Sequence, residues 1–264
     1  MLAVENIRVG YGKSGELVLD DLGFAVAPGQ VLAILGPNGV GKTTLLRCIN
    51  AMIRPWSGAV RVAEADVFRM GPGEIARQLG YVAQRNEAGR MTAFDAVLLG
   101  RKPHLRWRVS PEDLRKVDGA LRQLGLEHLA LRHIDEMSGG ELQKVCIARA
   151  LVQEPRVLLL DEPTSSLDLR NQLDILETIR RVVREHRLAA AMTLHDLNLA
   201  FRFADRVLFL KNGRVFAWGR PEQVGPETVA EVYGVAVDIL RHKNHVVVVP
   251  NGGPPPEPPG DSIQ

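Results

Sequence analysis

The sequence predicts an α/β protein with a mostly parallel central sheet. Three apolar runs, at residues 30–36, 156–162 and 188–196, lack the polar alternation of a sheet that faces water. Strands buried on both faces have this composition, and such strands are typical of parallel sheets covered by helices. A helical pattern follows each run, and this alternation of strand and helix builds the α/β class of fold.

Composition places the chain among ordinary globular proteins. It has 264 residues, 45% hydrophobic and 24% charged, with a net charge of +2, so we expect no nucleic-acid partner. It lacks an apolar run of the ~20 residues that span a bilayer. The start, MLAVENIRVG, lacks the pattern of a secretory signal, so we expect membrane contact only through a partner. Cys48 and Cys146 lie in apolar helical patterns, which predicts buried thiols in a reducing compartment.

The N-terminal elements are predicted to be strands. Residues 2–12 and 16–29 show apolar alternation and glycine-rich turns, which is typical of antiparallel strands. The apolar strand QVLAILG then ends at Gly36, and a helix is predicted from about Gly41. These residues, through 87, are predicted to form an antiparallel β subdomain and the first part of a catalytic core.

Residues 88–150 have helical periodicity and few strand patterns, which predicts an inserted helical subdomain. Ser110 and Pro111, followed by two acids, have the composition of a helix start, and Gly125 marks the end. The apolar face of this helix is predicted to consist of Leu114, Val117, Leu121 and Leu124.

The second part of the core is predicted to span residues 151–249, which completes a single domain over 1–249. It contains a buried strand, RVLLLDE, and an amphipathic helix over residues 168–186. A hairpin is predicted at Asn212-Gly213, and a short helix at PETVAEVYG. The remaining residues, 250–264, are rich in Pro and Gly, which predicts a disordered tail.

A phosphate-binding loop is predicted between the first apolar strand and its helix. The sequence GPNGVGKT fits the pattern G-x-x-x-x-G-K-[ST]. Glycines let backbone amides converge on an anion, and the helix N-terminus adds partial positive charge. The alternative is a glycine-rich turn that binds nothing. The residues predicted to hold the phosphates are Gly36, Pro37, Asn38, Gly39, Val40, Gly41, Lys42, Thr43 and Thr44.

Two adjacent carboxylates end the buried strand RVLLLDE. Buried charge is costly unless it is paired or lies near a metal ion. A carboxylate at the end of a core strand beside a phosphate loop is typical of Mg²⁺ coordination, so Asp161 and Thr43 are predicted Mg²⁺ ligands. Glu162 is predicted to orient or deprotonate the attacking water. The alternative is a strand end with two solvated acids.

A pair of adjacent glycines, in MSGGE, precedes another predicted helix. Ser138 and Glu141 fit a capping box, which by itself accounts for the serine. Gly139 and Gly140 are unfavourable in a first helical turn unless something approaches the backbone closely. A helix N-terminus suits a γ-phosphate. Because the chain already has one phosphate loop, this second grip suggests a sandwich of two copies.

Taken together, these motifs resemble the ATP-binding cassette (ABC) ATPases over residues 2–249. GPNGVGKT is similar to the Walker A loop, VLLLDEP to Walker B and MSGGE to the signature motif. The resemblance implies a P-loop NTPase (RecA-like) core with an antiparallel β subdomain and an inserted helical subdomain. It also implies further roles: adenine stacking by Tyr11, Mg²⁺ contact by Gln84, a D-loop contact by Asp168 and γ-phosphate contact by His195. Tyr11 as a packing residue, Gln84 as a surface amide, Asp168 as a helix cap and His195 as a structural residue are the alternatives.

The phrases TAFDAVLLGRKPH, LHDLNLAFRFADRVLFLKNGRVFAWG and VAEVYGV resemble the importer group for iron–siderophores, haem, cobalamin and related metal chelates. That resemblance implies ATP and Mg²⁺ as cofactors, and a head-to-tail dimer in which Ser138–Glu141 contacts the partner's nucleotide. It implies permease subunits, a substrate-binding protein, and a location at the cytoplasmic face of the cell membrane. Residues 101–104 are a candidate permease contact, with a solvated basic loop as the alternative.

Two other classes of function stay open. One is a soluble cassette ATPase that acts in repair, translation or cofactor assembly. The other is a P-loop kinase or GTPase, although the guanine-reading N-K-x-D motif is absent from the sequence.

Overall fold

A six-stranded sheet lies at the centre of the molecule, and the other strands and the helices pack around it. The computed structural model describes residues 1–11, 15–84, 89–105, 107–243 and 245–251. The strands of these residues are β1 Leu2–Gly10, β2 Leu17–Val26, β3 Val31–Leu35, β4 Ser57–Val62, β5 Ala65–Asp66, β6 Leu79–Val82, β7 Val157–Leu160, β8 Ala189–Thr193, β9 Arg206–Lys211, β10 Arg214–Gly219, β11 Val237–His242 and β12 His245–Pro250.

The central sheet has the strand order β10-β9-β3-β8-β7-β6, and only the β9–β10 pair is antiparallel. The predicted mostly parallel sheet is therefore confirmed. Every residue of β3, β7 and β8 is buried, as their continuous apolar sequences require. Because parallel strands end at a common edge, residues that follow β3, β6, β7 and β8 lie along one edge of the sheet.

Different elements pack on the two faces of the central sheet. An antiparallel sheet of order β2-β1-β4-β5 lies against one face, which confirms the predicted antiparallel β subdomain. Leu32 and Ile34 of β3 pack on that side, whereas Ala33 and Leu35 pack on the helical side. The alternation of side chains along a strand thus lets one strand serve two cores.

Eight α-helices occur in the described residues. They are α1 Lys42–Ile49, α2 Pro72–Gln78, α3 Ala93–Leu98, α4 Pro111–Gln123, α5 Gly139–Leu151, α6 Leu169–Glu185, α7 Leu197–Phe203 and α8 Pro226–Tyr233. Among these described residues, no helix is long and apolar enough to cross a bilayer. The division into core and helical subdomain stays a prediction. Its boundary at 87/88 lies outside the described residues, as do residues 252–264 of the predicted tail. The predicted start of that tail at residue 250 is wrong, because Pro250 ends β12 and the Asn251 amide donates to the Ala236 carbonyl.

Helix α4 begins as predicted, because the Ser110 hydroxyl accepts from the Asp113 amide and Asp113 accepts from the Ser110 amide. Its apolar face differs by one residue from the prediction. Val117, Leu121 and Leu124 are buried, but Leu114 is 43% exposed. In the first turn of α4 the buried position is therefore taken by Asp113, and Leu114 faces outward.

Arg101 has neither of the roles predicted for residues 101–104. Its side chain is only 4% exposed and lies between two carboxylates and a backbone carbonyl. Arg101 Nε donates to Asp113 Oδ1 at 2.9 Å, and Nη1 donates to Glu154 Oε2 at 2.9 Å. Hydrogen bonds from Ser110 and the Arg101 guanidinium lower the pKa of Asp113 to about 2. Arg101 is therefore an internal tie between α4 and the segment after α5, available neither to solvent nor to a permease.

We expect Arg101→Met to lower the free energy of unfolding by about 3 kcal/mol, because it leaves the Asp113 carboxylate buried without its cation. Urea unfolding followed by circular dichroism measures the change. Arg122→Met is the matched control, since the Arg122–Asp118 ion pair has both side chains more than half exposed. Its expected cost is below about 0.5 kcal/mol. Equal costs for the two variants would contradict the assignment of Arg101 as a buried tie.

Candidate active site

The predicted phosphate loop follows β3 and leads directly into α1. Lys42, the first residue of α1, is 6% exposed. Its Nζ donates to the carbonyl oxygens of Gly36 at 2.7 Å and Pro37 at 3.1 Å. The Lys42 ammonium group therefore binds to carbonyl oxygens of the loop itself. Phosphate oxygens are hydrogen-bond acceptors of the same type as these carbonyls.

Burial and the neighbouring charges shift the pKa of Lys42 in opposite directions. Burial lowers its pKa, and the nearby carboxylates of Glu162 and Asp161 raise it in part. A cation that has already lost much of its hydration binds an anion without the full cost of stripping water from it. The site thus has a desolvated positive charge at the N-terminus of a helix, which is a setting for phosphate binding.

Asp161 lies directly after β7 and is 2% exposed. Its Oδ1 accepts from the Thr43 hydroxyl at 3.1 Å and from the Thr193 hydroxyl at 2.9 Å. The Tyr81 hydroxyl donates to Oδ2 at 3.4 Å. Burial, then the charge of Asp161, raises the pKa of Tyr81, which keeps that hydroxyl protonated as a donor. The carboxylate is therefore fixed beside the phosphate loop by three hydroxyl groups.

Glu162 has a different set of neighbours from Asp161. Its φ of 49° lies in the left-handed region, so the chain turns sharply at this residue. The turn brings one carboxylate oxygen within 2.5 Å of His195 Nε2, and the other accepts from the Gln84 amide. The Glu162 amide donates to the Thr193 hydroxyl at 2.8 Å. Three predicted site residues, from the ends of β6, β7 and β8, thus meet at one carboxylate.

The predicted adenine-stacking residue lies at the end of β1. The Tyr11 side chain is exposed, and its hydroxyl lies 3.0 Å from the Thr44 hydroxyl of α1. The aromatic ring is therefore next to the phosphate loop and open to a ligand.

The signature residues lie apart from this group. Ser138 and Glu141 form the predicted capping box at the start of α5, and the hydrogen bonds from Ser138 lower the pKa of Glu141. Asp168 caps α6, with its carboxylate accepting from the Asn171 amide. In the described part of the chain, no hydrogen bond or ion pair joins residues 138–141 or Asp168 to the phosphate loop. Ser138 and Gly139 are exposed, so the start of α5 is accessible to another molecule.

Packing within the chain explains part of the glycine pair. A Cβ on Gly140 would lie 2.9 Å from Asn171 Oδ1, and one on Gly139 would lie 3.3 Å from a methyl of Leu167. The close neighbour that the glycines predicted therefore includes the start of α6, because α5 and α6 approach at their first turns. Exposure of Gly139 still leaves room for a ligand there.

Three site residues escaped the sequence analysis. Thr193 bridges Asp161 and Glu162, Tyr81 donates to Asp161, and the Tyr233 hydroxyl accepts from the Gly36 amide at 2.9 Å. Thr193 lies two residues before His195 and Tyr81 three before Gln84, so proximity to predicted residues was an available signal. Tyr233 lies almost 200 residues from the phosphate loop in sequence, and no local pattern indicated it.

A family profile described as "ABC transporter" matches residues 19–165. An uncharacterized ABC transporter ATP-binding protein of Methanocaldococcus jannaschii is 46% identical over 96% of this chain and 98% of its own length. The ferric enterobactin transport ATP-binding protein of Escherichia coli is 37% identical, covering 89% of this chain and 88% of its own. The phosphonates import ATP-binding protein of Nitratidesulfovibrio vulgaris is also 37% identical, covering 88% and 91%.

Solved structures also match over most of the chain, at lower sequence identity. A chain assigned to a metal-chelate type ABC transporter, in an inward-facing conformation, has a TM-score of 0.81 and 29% identity, covering 94% of this chain and 96% of its own. A dimeric ATP-binding cassette bound to ADP and phosphate has a TM-score of 0.74 and 27% identity, covering 84% and 99%. With its phosphate loop, paired carboxylates and glutamate–histidine contact all in place, this chain belongs to the ABC transporter family of ATP-binding proteins.

Proposed function

We propose that this chain is the ATP-hydrolysing subunit of an importer for metal chelates, such as iron–siderophores, haem or cobalamin. The observation that carries the enzymatic part is the convergence of Lys42, Asp161 and Glu162 at one edge of the sheet. These side chains supply a phosphate-binding cation, a fixed carboxylate and a second carboxylate of separate orientation.

Hydrolysis requires a group that positions and deprotonates water at the γ-phosphate. Glu162 fits this role because Gln84 and His195 hold its two oxygens apart from Asp161. On ATP binding, Lys42 exchanges the carbonyls of Gly36 and Pro37 for phosphate oxygens. His195 is 47% exposed and can turn from Glu162 to the γ-phosphate. Tyr11 offers its exposed ring to the adenine.

The residues beside the phosphate loop fit Mg²⁺. Asp161 and Thr43 present a carboxylate and a hydroxyl 3.1 Å apart, and both are the hard oxygen donors that Mg²⁺ prefers. Gln84 would contribute its amide oxygen, since its amide nitrogen is the atom that donates to Glu162. When bound, the ion neutralises charge on the phosphate oxygens.

A second copy of the chain would complete the site. The Ser138–Glu141 segment is separate from the phosphate loop of its own chain and is exposed at its start. A head-to-tail pair would place this helix N-terminus over the partner's nucleotide. The dimeric cassette noted above supports this arrangement. Asp168, exposed at the start of α6, would lie at the same interface.

The transport role rests on the relatives and on one surface. The match to the metal-chelate type transporter covers almost the whole chain, and the relative from Escherichia coli is named as the ATP-binding protein of ferric enterobactin transport. Leu99, Trp107 and Val109 are large apolar side chains exposed at 53%, 100% and 39% between α3 and α4. Large apolar side chains exposed in one connecting segment favour contact with another protein, and we assign these three to contact with a permease at the cytoplasmic face of the membrane. A substrate-binding protein would deliver the chelate to that permease.

Affinity purification from detergent-solubilised membranes of the native host tests the transport role. We expect a permease with many membrane-spanning helices to co-purify in equal amount, identified by mass spectrometry. ATPase activity of the reconstituted complex, with its binding protein, should then rise with a metal chelate and not with a phosphonate. Stimulation by phosphonate alone would move the cargo to that class. Soluble partners without a permease would instead favour a cassette ATPase of the cytosol.

A further inference from the structure

The phosphate loop is anchored at its base by a residue from the C-terminal part of the chain. Gly36 opens the loop, and its backbone amide donates to the Tyr233 hydroxyl at 2.9 Å. We propose that Tyr233 is a positioning residue for the phosphate loop, acting on nucleotide affinity through the Gly36 amide. This inference rests on the proposed ATP binding and adds a residue outside the nucleotide-binding motifs.

Gly36 needs an external partner because the sheet stops supplying one at this residue. Strand β3 ends at Leu35, whose neighbour in β9 is Phe209. A buried amide without an acceptor is costly, so the hydrogen bond must come from elsewhere. A Cβ at Gly36, whose φ is 144°, would lie 2.5 Å from the Leu210 carbonyl oxygen, so this close approach requires glycine. Tyr233 therefore supplies the acceptor that the sheet does not, at a residue without a side chain of its own to fix it.

The acceptor is held in place from three sides. Helix α8 ends at Tyr233, because Gly234 adopts a left-handed conformation with φ of 71°. Glu231, two residues before that end, pairs with Lys211 of β9. Beyond Gly234, the β11–β12 hairpin packs on α7, where the Asn198 amide and the Val248 backbone exchange two hydrogen bonds. Burial raises the pKa of Tyr233 to about 12, so the hydroxyl stays neutral under ordinary conditions.

The anchored residue also contacts the lysine proposed to bind the phosphates. The carbonyl oxygen of Gly36 accepts from Lys42 Nζ at 2.7 Å, while its amide is held by Tyr233. Loss of the hydroxyl would free the base of the loop to sample other conformations. Nucleotide binding would then have to order the loop, and that ordering lowers affinity.

The test compares Tyr233→Phe with wild type by titration calorimetry with MgATP and MgADP. We expect the Kd for both nucleotides to rise about tenfold, because an unpaired buried amide favours a displaced loop. Glu227→Gln is the matched control. It removes an exposed charge from the first turn of the same helix and leaves the Gly36 contact intact, so its Kd should change less than about twofold.

Two further measurements separate positioning from bulk stability. Thermal unfolding without nucleotide reports the structural contribution alone. A lowered unfolding temperature with unchanged Kd values would overturn the inference. In wild type, exchange of the Gly36 amide with solvent should be as slow as that of the β3 amides, and fast exchange would also overturn it. Failure of wild type to bind ATP would instead contradict the proposed function, so the two failures are distinguishable.

Discussion

Glu162→Gln is expected to lower the rate of ATP hydrolysis by about 10² to 10⁴ while ATP still binds. The amide cannot accept a proton from water, and loss of a general base costs that much. Binding should persist because Lys42 and the loop are unchanged, and Gln84 and His195 keep a neighbour of nearly the same shape. Phosphate release measures the rate, and calorimetry measures the Kd.

The same variant tests the dimer. With hydrolysis blocked, ATP should hold two copies together, so we expect Glu162→Gln to elute as a dimer from a sizing column with ATP and as a monomer with ADP. Glu222→Gln, an exposed substitution beyond β10, is the matched control and should behave as wild type. A Glu162→Gln protein with near-normal activity would refute the assigned base, and one that stays monomeric with ATP would refute the sandwich.

Lys42→Met is expected to weaken MgATP binding by about a hundredfold or more. The substitution keeps the length of the buried stem and removes the cation that would bind the phosphates, and a charge-assisted contact has this magnitude. It also leaves Glu162 and Asp161 without the charge that now faces them. Calorimetry measures the Kd, and the double variant with Glu162→Gln should lose its ATP-dependent dimer.

A fold check must accompany the Lys42 result. Lys116→Met is a suitable control because Lys116 is a partly exposed lysine whose ion pairs lie with Glu112 and Glu154. We expect its Kd for MgATP to match that of wild type. Unchanged binding by a folded Lys42→Met protein would show that the loop is not the phosphate grip.

Hydrogen bonds from and to hydroxyl groups connect the predicted site residues, and no sequence pattern indicated those hydrogen bonds. The Thr193 hydroxyl joins the two acidic residues, because it donates to the Asp161 carboxylate and accepts from the backbone amide of Glu162. Alternation along β8 determines which way this side chain points, but the choice of partner depends on β7 lying beside β8. Strand order is a property of the whole sheet, so a single strand cannot reveal it.

For Arg101 the sequence-based prediction was wrong, because it placed this residue on the surface. The basic run at 101–104 has the composition of an exposed loop, yet Arg101 is buried against Asp113 and Glu154. The two partners lie 12 and 53 residues away, so the compensation of its charge is not visible locally. A buried arginine needs carboxylates at the right distance, and only packing provides that distance.

By itself, the sequence determined the fold class, the position of the candidate phosphate loop and of the carboxylate pair, and the helix caps at Ser110 and Ser138. Each depends on residues close together in the chain, where periodicity, glycine and capping chemistry act directly. Tertiary structure alone decided that Gln84 and His195 meet at Glu162, that Asn171 explains part of the glycine pair, and that Tyr233 anchors Gly36. These contacts join separate strands and helices, and their geometry follows from the order of strands in one sheet.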